Sequence, residues 1–381
     1  MGFSEKDIQM KNRTIKIISI LLAFVLLISS FVGCNKEDDY EVGSTTNAEE
    51  NTTEQTVLPE NVNPLTGIAD LSEYAKGARP IAIMVENSPS ARPQWGITTP
   101  DIVIEGVAEG GITRMMWVYA DAEKIPDKVG PIRSARHDFV ELAAGMNAIF
   151  VHVGGSDGSR VNLTLAYQTI ENLDIDNIDG NKWFGQYFER DTTRKTAIEH
   201  RAITNKTSLK AAIEKLGYTT KQTVDNWEPY DVVTDGTVGV WGDGTVTGPC
   251  SEISVTFSSG YVHTFKYNET DKKYYNYLNN KVMTDGNNGK EMAVENVIAL
   301  YVPVSTLSTK EGHREWNFEA TNGEGVYVSN GVGQKVYWSK AGKDAPLKIM
   351  SVDGKELKVN QGQTWIGIVP EANRDLTKTV K

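Results

Sequence analysis

The sequence is poor in the residues that build disulfide frameworks and metal sites. It contains 2 cysteines and 5 histidines in 381 residues. None of the histidines is spaced like metal ligands on one helical face. They are His137, His152, His200, His263 and His313. We therefore predict no metal and no cofactor, and two cysteines exclude a disulfide-rich fold.

Acidic residues outnumber basic ones, 50 to 39, and long apolar runs are scarce. The formal net charge is −11 at pH 7, which makes the chain a poor nucleic-acid binder. Beyond residue 33 no apolar run approaches the roughly 20 residues that span a bilayer. The composition, 39% hydrophobic and 23% charged, is typical of a globular protein. These features predict an exported soluble body without a nucleic-acid partner.

The N-terminus carries the one long apolar run. Basic residues from Lys6 to Lys16 precede the run Ile17–Val32, and this order is typical of a secretory signal. The run closes on Gly33 and Cys34, which resembles a lipobox, the processing site of bacterial lipoproteins. We predict a lipoprotein signal peptide at 1–33 and a Cys34 that carries lipid, including palmitate. The protein would then sit on the outer face of the cell membrane.

Two alternatives stay open for this segment. An uncleaved membrane anchor would leave the protein facing the same side, because the cationic flank orients both versions alike. Translation starts at either Met1 or Met10. In both cases the membrane is a predicted partner.

The rest of the chain divides into three parts. Residues 34–62 are acidic and polar, which predicts a disordered tether. Residues 63–220 alternate strand-like and helix-like segments, which predicts an α/β domain with a mixed sheet. Residues 221–381 contain short β-rich runs between turn signals and predict a smaller, mainly β domain, either a sandwich or a barrel-like module.

Two candidate sites lie near predicted strand ends of the first domain. Glu86 and Asn87 end the strand from Ile81, where α/β sheets commonly bind ligands, although an Asx turn fixed by Pro89 would use the same residues. At the next hairpin, a turn formed by Gly110-Gly111 would place Glu105 and Glu109 diagonal to Arg114 on one face. Such carboxylates could do acid–base chemistry or form a structural salt-bridge ladder.

The third candidate site is Arg133-Ser134-Ala135-Arg136, which precedes a helix that Ser134 would cap. A cation in the first helical turn opposes the helix dipole by about 0.3–1 kcal/mol, so an anion should compensate it. That anion is either a ligand carboxylate or phosphate, or Glu86 or Glu105 in an internal pair.

The fourth candidate site follows the predicted strand that ends near His152. The loop Gly154-Gly155-Ser156-Asp157-Gly158 fits the G-x-S-x-G pattern before a helix predicted to begin near Ser159, so Ser156 is a candidate nucleophile. Asp191 and His200 follow in the chain order of an α/β-hydrolase triad. The alternative is a loop that holds a ligand by its backbone N–H groups.

Long motifs of the first domain are RPIAIMVENSPSARPQWGITTPDIVIEGVAEGGITRMMWVYA, VGPIRSARHDFVELA, HVGGSDGSR and FERDTTRKTAIEH. With the signal and Cys34, they resemble the YerB-like lipoproteins, a family of unknown function from Gram-positive bacteria. The resemblance covers most of residues 63–370. It implies a two-domain lipoprotein layout but no activity, and the family usually has proline where this chain has Glu199.

The sequence thus predicts a membrane-anchored extracellular lipoprotein that binds an anionic or glycan-like envelope ligand. An envelope protein is a further candidate partner. Trp95, Trp183 and Trp365 would suit sugar stacking, although most tryptophans are core. The alternative function is an envelope hydrolase or transferase that uses Glu86 and Glu105, or Ser156. The predicted ligand contacts are Glu86, Asn87, Arg114, Arg133, Ser134, Arg136, His152, Gly154, Gly155 and Ser156.

Overall fold

A computed structural model describes residues 60–234, 246–318 and 323–381. Cys34, the predicted signal peptide and nearly all of the predicted tether lie outside the described residues. The described residues belong to one compact unit that comprises residues 57–381. None of the helices in this part of the chain has the length and apolarity that a membrane span requires.

The first half of the described chain contains every α-helix that the structure describes, together with short strands. Asn205 caps the longest helix by accepting from the backbone of Ser208, and Gly217 ends it in the left-handed conformation. The α-helices are α1 (His137–Gly145), α2 (Ala166–Asn172), α3 (Gly180–Trp183) and α4 (Lys206–Leu216). The strands are β1 (Ile81–Glu86), β2 (Ile102–Val107), β3 (Thr113–Tyr119), β4 (Ile149–His152), β5 (Asn177–Asp179), β6 (Glu189–Arg190), β7 (Ala202–Ile203) and β8 (Asp231–Val232).

The second half is built from strands. Along β10 and β12 the side chains alternate between buried and partly exposed, which matches the two-residue period of a strand with one covered face. The strands are β9 (Val246–Pro249), β10 (Glu252–Ser258), β11 (Tyr261–Asn268), β12 (Lys273–Leu278), β13 (Lys281–Val282), β14 (Ala293–Val294), β15 (Asn296–Val302), β16 (Val304–Thr306), β17 (Arg314–Trp316), β18 (Gly323–Ser329), β19 (Val332–Lys340), β20 (Leu347–Met350), β21 (Lys358–Val359), β22 (Thr364–Pro370) and β23 (Lys378–Val380).

Short 3-10 turns connect several of these strands. They span Glu73–Ala75, Pro89–Ala91, Glu109–Gly111, Ala122–Lys124, Ile198–His200 and Glu371–Leu376. The predicted fold class, an α/β domain with a mixed sheet followed by a mainly β domain, is confirmed.

One large mixed sheet runs through both halves. Its strand order is β20-β19-β18-β15-β22-β2-β3-β1-β4-β5, and β9 adds to β19. The strand β22 from the C-terminal half lies parallel to β2 on one side and to β15 on the other. Six strands of the second half therefore extend the N-terminal sheet, which corrects the expectation of a separate sandwich or barrel-like module.

A second, antiparallel sheet has the order β13-β12-β11-β10-β23, with β14 paired to β12. It covers one face of the large sheet, where Phe257 and Phe265 pack against Trp365 of β22. Helix α1 lies on the opposite face, in a core with Phe150, Trp316 and Trp338. The large sheet is thus the middle layer between two hydrophobic cores.

Candidate functional site

Polar side chains converge where β1 ends. Glu86 is the last residue of β1 and is buried, and Ser88 Oγ donates to its carboxylate at 2.8 Å. His200 Nδ1 lies 2.8 and 2.9 Å from the two carboxylate oxygens. Arg133 Nε lies 3.7 Å from Glu86 Oε1. The predicted residues Glu86 and Arg133 are therefore brought together, and His200 joins them.

The backbone around Arg133 fixes its position at this end of the sheet. Its N–H donates to Met84 of β1 at 3.0 Å, and its carbonyl accepts from Val153 at 3.1 Å. These two bonds hold the backbone of Arg133 between the ends of β1 and β4. The guanidinium of Arg133 lies by Glu86, at the carboxyl end of β1. Strand ends of this kind commonly hold ligands in α/β sheets.

The β6–β7 hairpin contributes two further arginines. Arg190 ends β6 and pairs with Ala202 of β7, and Arg201 directly precedes β7. Arg133 Nη1 donates to the carbonyl of Glu199 at 3.2 Å, and Arg190 Nη1 donates to the carbonyl of Ile198 at 3.0 Å. Both guanidinium groups thus contact the same 3-10 turn. We define Glu86, Arg133, Arg190, His200 and Arg201 as the arginine site.

The arginine site carries an excess of positive charge. Burial, followed by repulsion from the charges of Arg133 and Arg201, lowers the pKa of Arg190, although attraction to the carboxylate of Glu199 acts in the opposite direction. The Nε of Arg201 is buried and has no hydrogen-bond partner among the described side chains and backbone. Arg190 also lies over the ring of Phe184, 4.0 Å from its centroid, which orients the guanidinium. Arg190 and Arg201 were not predicted as ligand contacts, because they lie far along the chain from Arg133.

Arg136 and Arg114 both lie beside the carboxylate of Glu109. Glu109 forms an ion pair with Arg136, and its Oε2 lies 3.9 Å from Arg114 Nη2. Burial alone would raise the pKa of Glu109, but attraction by Arg136 and Arg114 lowers it to about 2. Burial and the charge of Arg136 lower the pKa of Arg114 to about 9. Glu109 is thus the internal anion of Arg136, whereas the predicted Glu86 lies 3.7 Å from Arg133, the other arginine of this segment.

The predicted cap at Ser134 is corrected. Helix α1 begins at His137, and Arg136 occupies the N-cap position without a side-chain capping bond. The carbonyl of Ser134 accepts from Arg114 Nη1 at 2.9 Å and from Arg136 Nη1 at 3.5 Å. Ser134 therefore contributes its backbone to the two arginines.

The register of the β2–β3 hairpin corrects the second candidate site. Gly106 pairs with Arg114 and Glu105 with Met115, so Glu105 and Arg114 point to opposite faces of the sheet. The turn is one residue longer than predicted, with Gly110 at φ 64 and Gly111 at φ 72. The predicted Glu105–Glu109–Arg114 cluster is therefore divided between two cores.

Glu105 lies in a fully buried polar network between the two sheets. His263 Nε2 lies 3.0 Å from Glu105 Oε1, and Trp365 Nε1 donates to Oε2 at 3.2 Å. Asn87 and Thr113 donate to Oε1 at 2.9 and 2.6 Å. Burial alone would raise the pKa of Glu105, but the attraction of His263 holds it below its usual value. The side chains of Glu105 and Asn87 therefore form hydrogen bonds within the protein.

The glycine-rich loop after β4 is also internally bonded. His152 is buried, with Nδ1 2.8 Å from the carbonyl of Gly154 and Nε2 3.1 Å from Asn177 Oδ1. The N–H of Gly154 donates to Asp179, and the N–H of Ser156 donates to the carbonyl of Ala135. Gly155 forms a bridge with Ala135. The amides of Gly154 and Ser156 are therefore engaged within the protein, and the bridge at Gly155 consists of the bonds from Ala135 to Gly154 and from Ser156 to Ala135.

The predicted triad is not brought together. Ser156 Oγ is buried and accepts from the N–H of Ala166, so it caps α2, which begins there rather than near Ser159. Asp191 forms an ion pair with Lys128, and His200 contacts Glu86. The nucleophile, the acid and the base of the hypothesis thus have three different sets of partners.

The tryptophans proposed for sugar stacking are largely covered. Trp365 is fully buried, and Trp95 is buried beneath Lys128 and Arg194, whose cationic groups lie 3.9 and 3.8 Å from its ring centroid. Trp183 is half-buried against Tyr187. Over the described ranges, no group of three or more His, Cys, Asp or Glu side chains is arranged to hold a metal ion.

Comparison with known proteins gives consistent matches. Residues 65–219 match the N-terminal domain, and residues 253–366 the C-terminal domain, of a family described as protein of unknown function, DUF3048. The chain is 31% identical over 312 residues to "Putative lipoprotein YerB" of Bacillus subtilis, covering 81% of this chain and 86% of that protein. A crystal structure of the Bacillus subtilis YerB protein matches with a TM-score of 0.68 and 28% identity, covering 84% of this chain and 99% of that one.

Proposed function

Since the chain belongs to the DUF3048 family, which includes the YerB lipoprotein of Bacillus subtilis, we propose that it is a lipid-anchored surface protein that binds an anion at the arginine site. The predicted resemblance to the YerB-like lipoproteins is confirmed by this relationship. The name of the relative supports lipoprotein character, and the charge of the arginine site supports an anionic ligand.

The proposed anchor is Cys34, with the protein on the outer face of the membrane. The basic stretch, the apolar run and the cysteine follow the order of a lipoprotein signal. A single acyl chain binds membranes only marginally, whereas several chains on one cysteine hold a protein firmly. The acidic body would then extend from the membrane on the proposed tether.

Labelling with radioactive palmitate tests the anchor. Cells that express the full chain should incorporate label, and the Cys34→Ala variant should lose it. The matched control is Cys250→Ala, because Cys250 is the other cysteine of the sequence and its thiol is buried. Absence of label from the unaltered chain, or equal membrane retention of the Cys34→Ala variant, would contradict the proposal.

The observation that carries anion binding is the grouping of Arg133, Arg190 and Arg201 around one turn. The chain has a formal net charge of −11, so a local surplus of cations runs against its overall charge. Glu86, the buried carboxylate of the site, is already contacted by His200. Arginine forks hold phosphate and carboxylate oxygens with paired hydrogen bonds, which makes these two classes of anion the expected ligands.

Calorimetric titration of the full chain in detergent tests this site. The probes are inorganic phosphate and citrate, which separate phosphate from carboxylate recognition. A hydrogen bond to a charged group contributes about 1.5–3 kcal/mol, so Arg190→Ala and Arg201→Ala should each weaken binding by about tenfold or more. Added sodium chloride should weaken it further, since salt screens charge.

Arg160→Ala is the matched control, because Arg160 is exposed and lies outside the arginine site. It should bind either probe like the unaltered protein. The proposal fails if neither phosphate nor citrate gives saturable heat, or if Arg160→Ala weakens binding as much as Arg190→Ala does.

A further inference from the structure

A cavity of about 210 Å³ lies where the first turn of α1 meets β17 and the end of β19. His137 and Asp138 of α1 form one wall, Trp316 and Phe318 form another, and Lys340 of β19 closes one side. We name it the α1 cavity. It shares no residue with the arginine site, and the residues predicted from the sequence as ligand contacts do not line it.

His137 is the polar group in this cavity that requires an external partner. Its residue is only 4% exposed, and neither ring nitrogen has a hydrogen-bond partner among the described residues. Asp138 Oδ1 lies 3.4 Å from Nε2 but accepts from the backbone N–H of Trp316 at 2.7 Å. A buried polar group without a partner costs about 1–3 kcal/mol, and native structures seldom leave one.

The groups that line the cavity are largely neutral or already satisfied. Burial, with repulsion from Lys343, His313 and Arg136, lowers the pKa of His137 to about 4, so the ring has one donor and one acceptor at neutral pH. Burial raises the pKa of Asp138 well above its usual value, which disfavours the charged form of its carboxyl.

The cations and anions around the cavity are engaged within the protein. Lys340 Nζ donates to the carbonyls of Gly342, Lys343 and Ala345, which uses all three of its protons. Glu141 Oε1 and Lys343 Nζ lie 3.1 Å apart and pair with each other, and the exposed carboxylate of Glu315 accepts from Ser305 Oγ at 3.4 Å. A charged ligand would therefore compete with these internal partners for its counter-ion.

Hydroxyl groups suit such a lining, because each can donate and accept. At roughly 30 Å³ per water molecule the cavity has room for about seven waters, which is about the volume of one sugar ring. Trp316 and Phe318 contribute the apolar atoms of the lining, against which the C–H groups of such a ring can pack. We propose that the α1 cavity is a binding site for one neutral sugar ring, independent of the arginine site.

Saturation-transfer NMR on the full chain in detergent tests this site, with glucose and N-acetylglucosamine as probes. His137→Gln keeps a donor and an acceptor and should retain binding. His137→Phe fills the same space without polar atoms, and His137→Ala removes the ring, so both should weaken binding about tenfold. Arg190→Ala, which alters the other proposed site, should leave sugar binding unchanged.

Two results would overturn the site. One is the absence of saturation transfer to either sugar in the unaltered protein. The other is equal transfer in the unaltered protein, His137→Phe and His137→Ala, because the ring nitrogens would then make no contact with the sugar. Circular dichroism of each variant separates lost binding from lost folding, and failure of anion binding at the arginine site has no bearing on either result.

Discussion

Glu86, Glu105 and Glu109 lie in β1, in β2 and in the turn after β2, and each has a different cationic or histidine partner. Glu86 contacts His200, Glu105 contacts His263, and Glu109 pairs with Arg136. Arg136 was predicted to need an anion, and Glu109 is that anion. The identity of that anion could not be predicted, because it depends on which way a turn of three residues directs Glu109.

The pKa of Glu109 gives a prediction about acid stability. The folded state holds this pKa at about 2, below the usual value of 4.5, so the stabilisation is present above pH 4.5 and is lost as the pH falls toward 2. Each pKa unit corresponds to about 1.4 kcal/mol, so Glu109→Gln should remove up to about 3 kcal/mol at neutral pH. Urea unfolding at pH 7, 4 and 2.5 measures this difference.

The difference in unfolding free energy between the two proteins should shrink steadily across that pH series. Glu371→Gln is the control, because Glu371 is exposed on the last 3-10 turn. It should change the unfolding free energy by about 0.5 kcal/mol or less, as surface substitutions usually do. A difference for Glu109→Gln that stays constant with pH would contradict the role of its charge.

At the scale of elements, the sequence predicted the strand from Ile81, the β2–β3 hairpin, the strand that ends near His152 and the helix α1, because their apolar spacing is clear. It did not predict the register between β2 and β3. Gly110 and Gly111 suggested a two-residue turn, whereas the N–H of Ala108 donates to the carbonyl of Ile112 and closes a longer one. One added residue moves Glu105 to the face opposite Arg114.

Close contact with Trp316 explains why a glycine, Gly106, lies in the middle of β2. A Cβ at Gly106 would lie 2.2 Å from Cζ2 of Trp316. That ring cannot move freely, because its Nε1 donates to Val107 at 3.2 Å and its edge packs against Phe139 with centroids 4.7 Å apart. Gly106→Ala should therefore lower the unfolding free energy by about 1–3 kcal/mol, the usual cost of overpacking.

Thermal and urea unfolding of Gly106→Ala would measure this loss. Gly260→Ala is the matched control, since Gly260 lies in the β10–β11 turn with open space around its Cα. That substitution should leave stability nearly unchanged. If Gly106→Ala is as stable as the control variant, close contact between β2 and Trp316 is not what requires glycine at this position.

At the scale of the whole molecule, the two halves of the chain share the large sheet. Strand β22 comes from the C-terminal half, yet it pairs with β2 from Ile102 opposite Thr364 to Gly106 opposite Ile368. The sequence could not predict this pairing, because the apolar sequence of a buried parallel strand does not depend on which strand lies beside it. His263 was missed for a similar reason, since its partner Glu105 lies 158 residues away.

This sharing predicts that the two halves unfold together. Glu105 in β2 and His263 in β11 form a fully buried pair between the sheets, and removing one member of such a pair costs about 3–5 kcal/mol. Glu105→Gln should therefore lower the protection of slowly exchanging amides by the same amount in β3 and in β11, although only β3 lies in the same half as Glu105. Native-state hydrogen exchange followed by mass spectrometry measures both regions at once.

Lys335→Ala provides the comparison, because Lys335 and Glu324 form a partly exposed pair that should contribute at most about 1 kcal/mol. If Glu105→Gln reduces protection in β3 while amides in β11 keep theirs, the halves unfold separately. A loss of protection of equal size in β3 and in β11 means that both halves unfold in one cooperative transition. Because β22 lies between β2 and β15, the strands β1 and β19 belong to the same sheet. The arginine site at the end of β1 and the α1 cavity at the end of β19 would then lose their structure in the same transition.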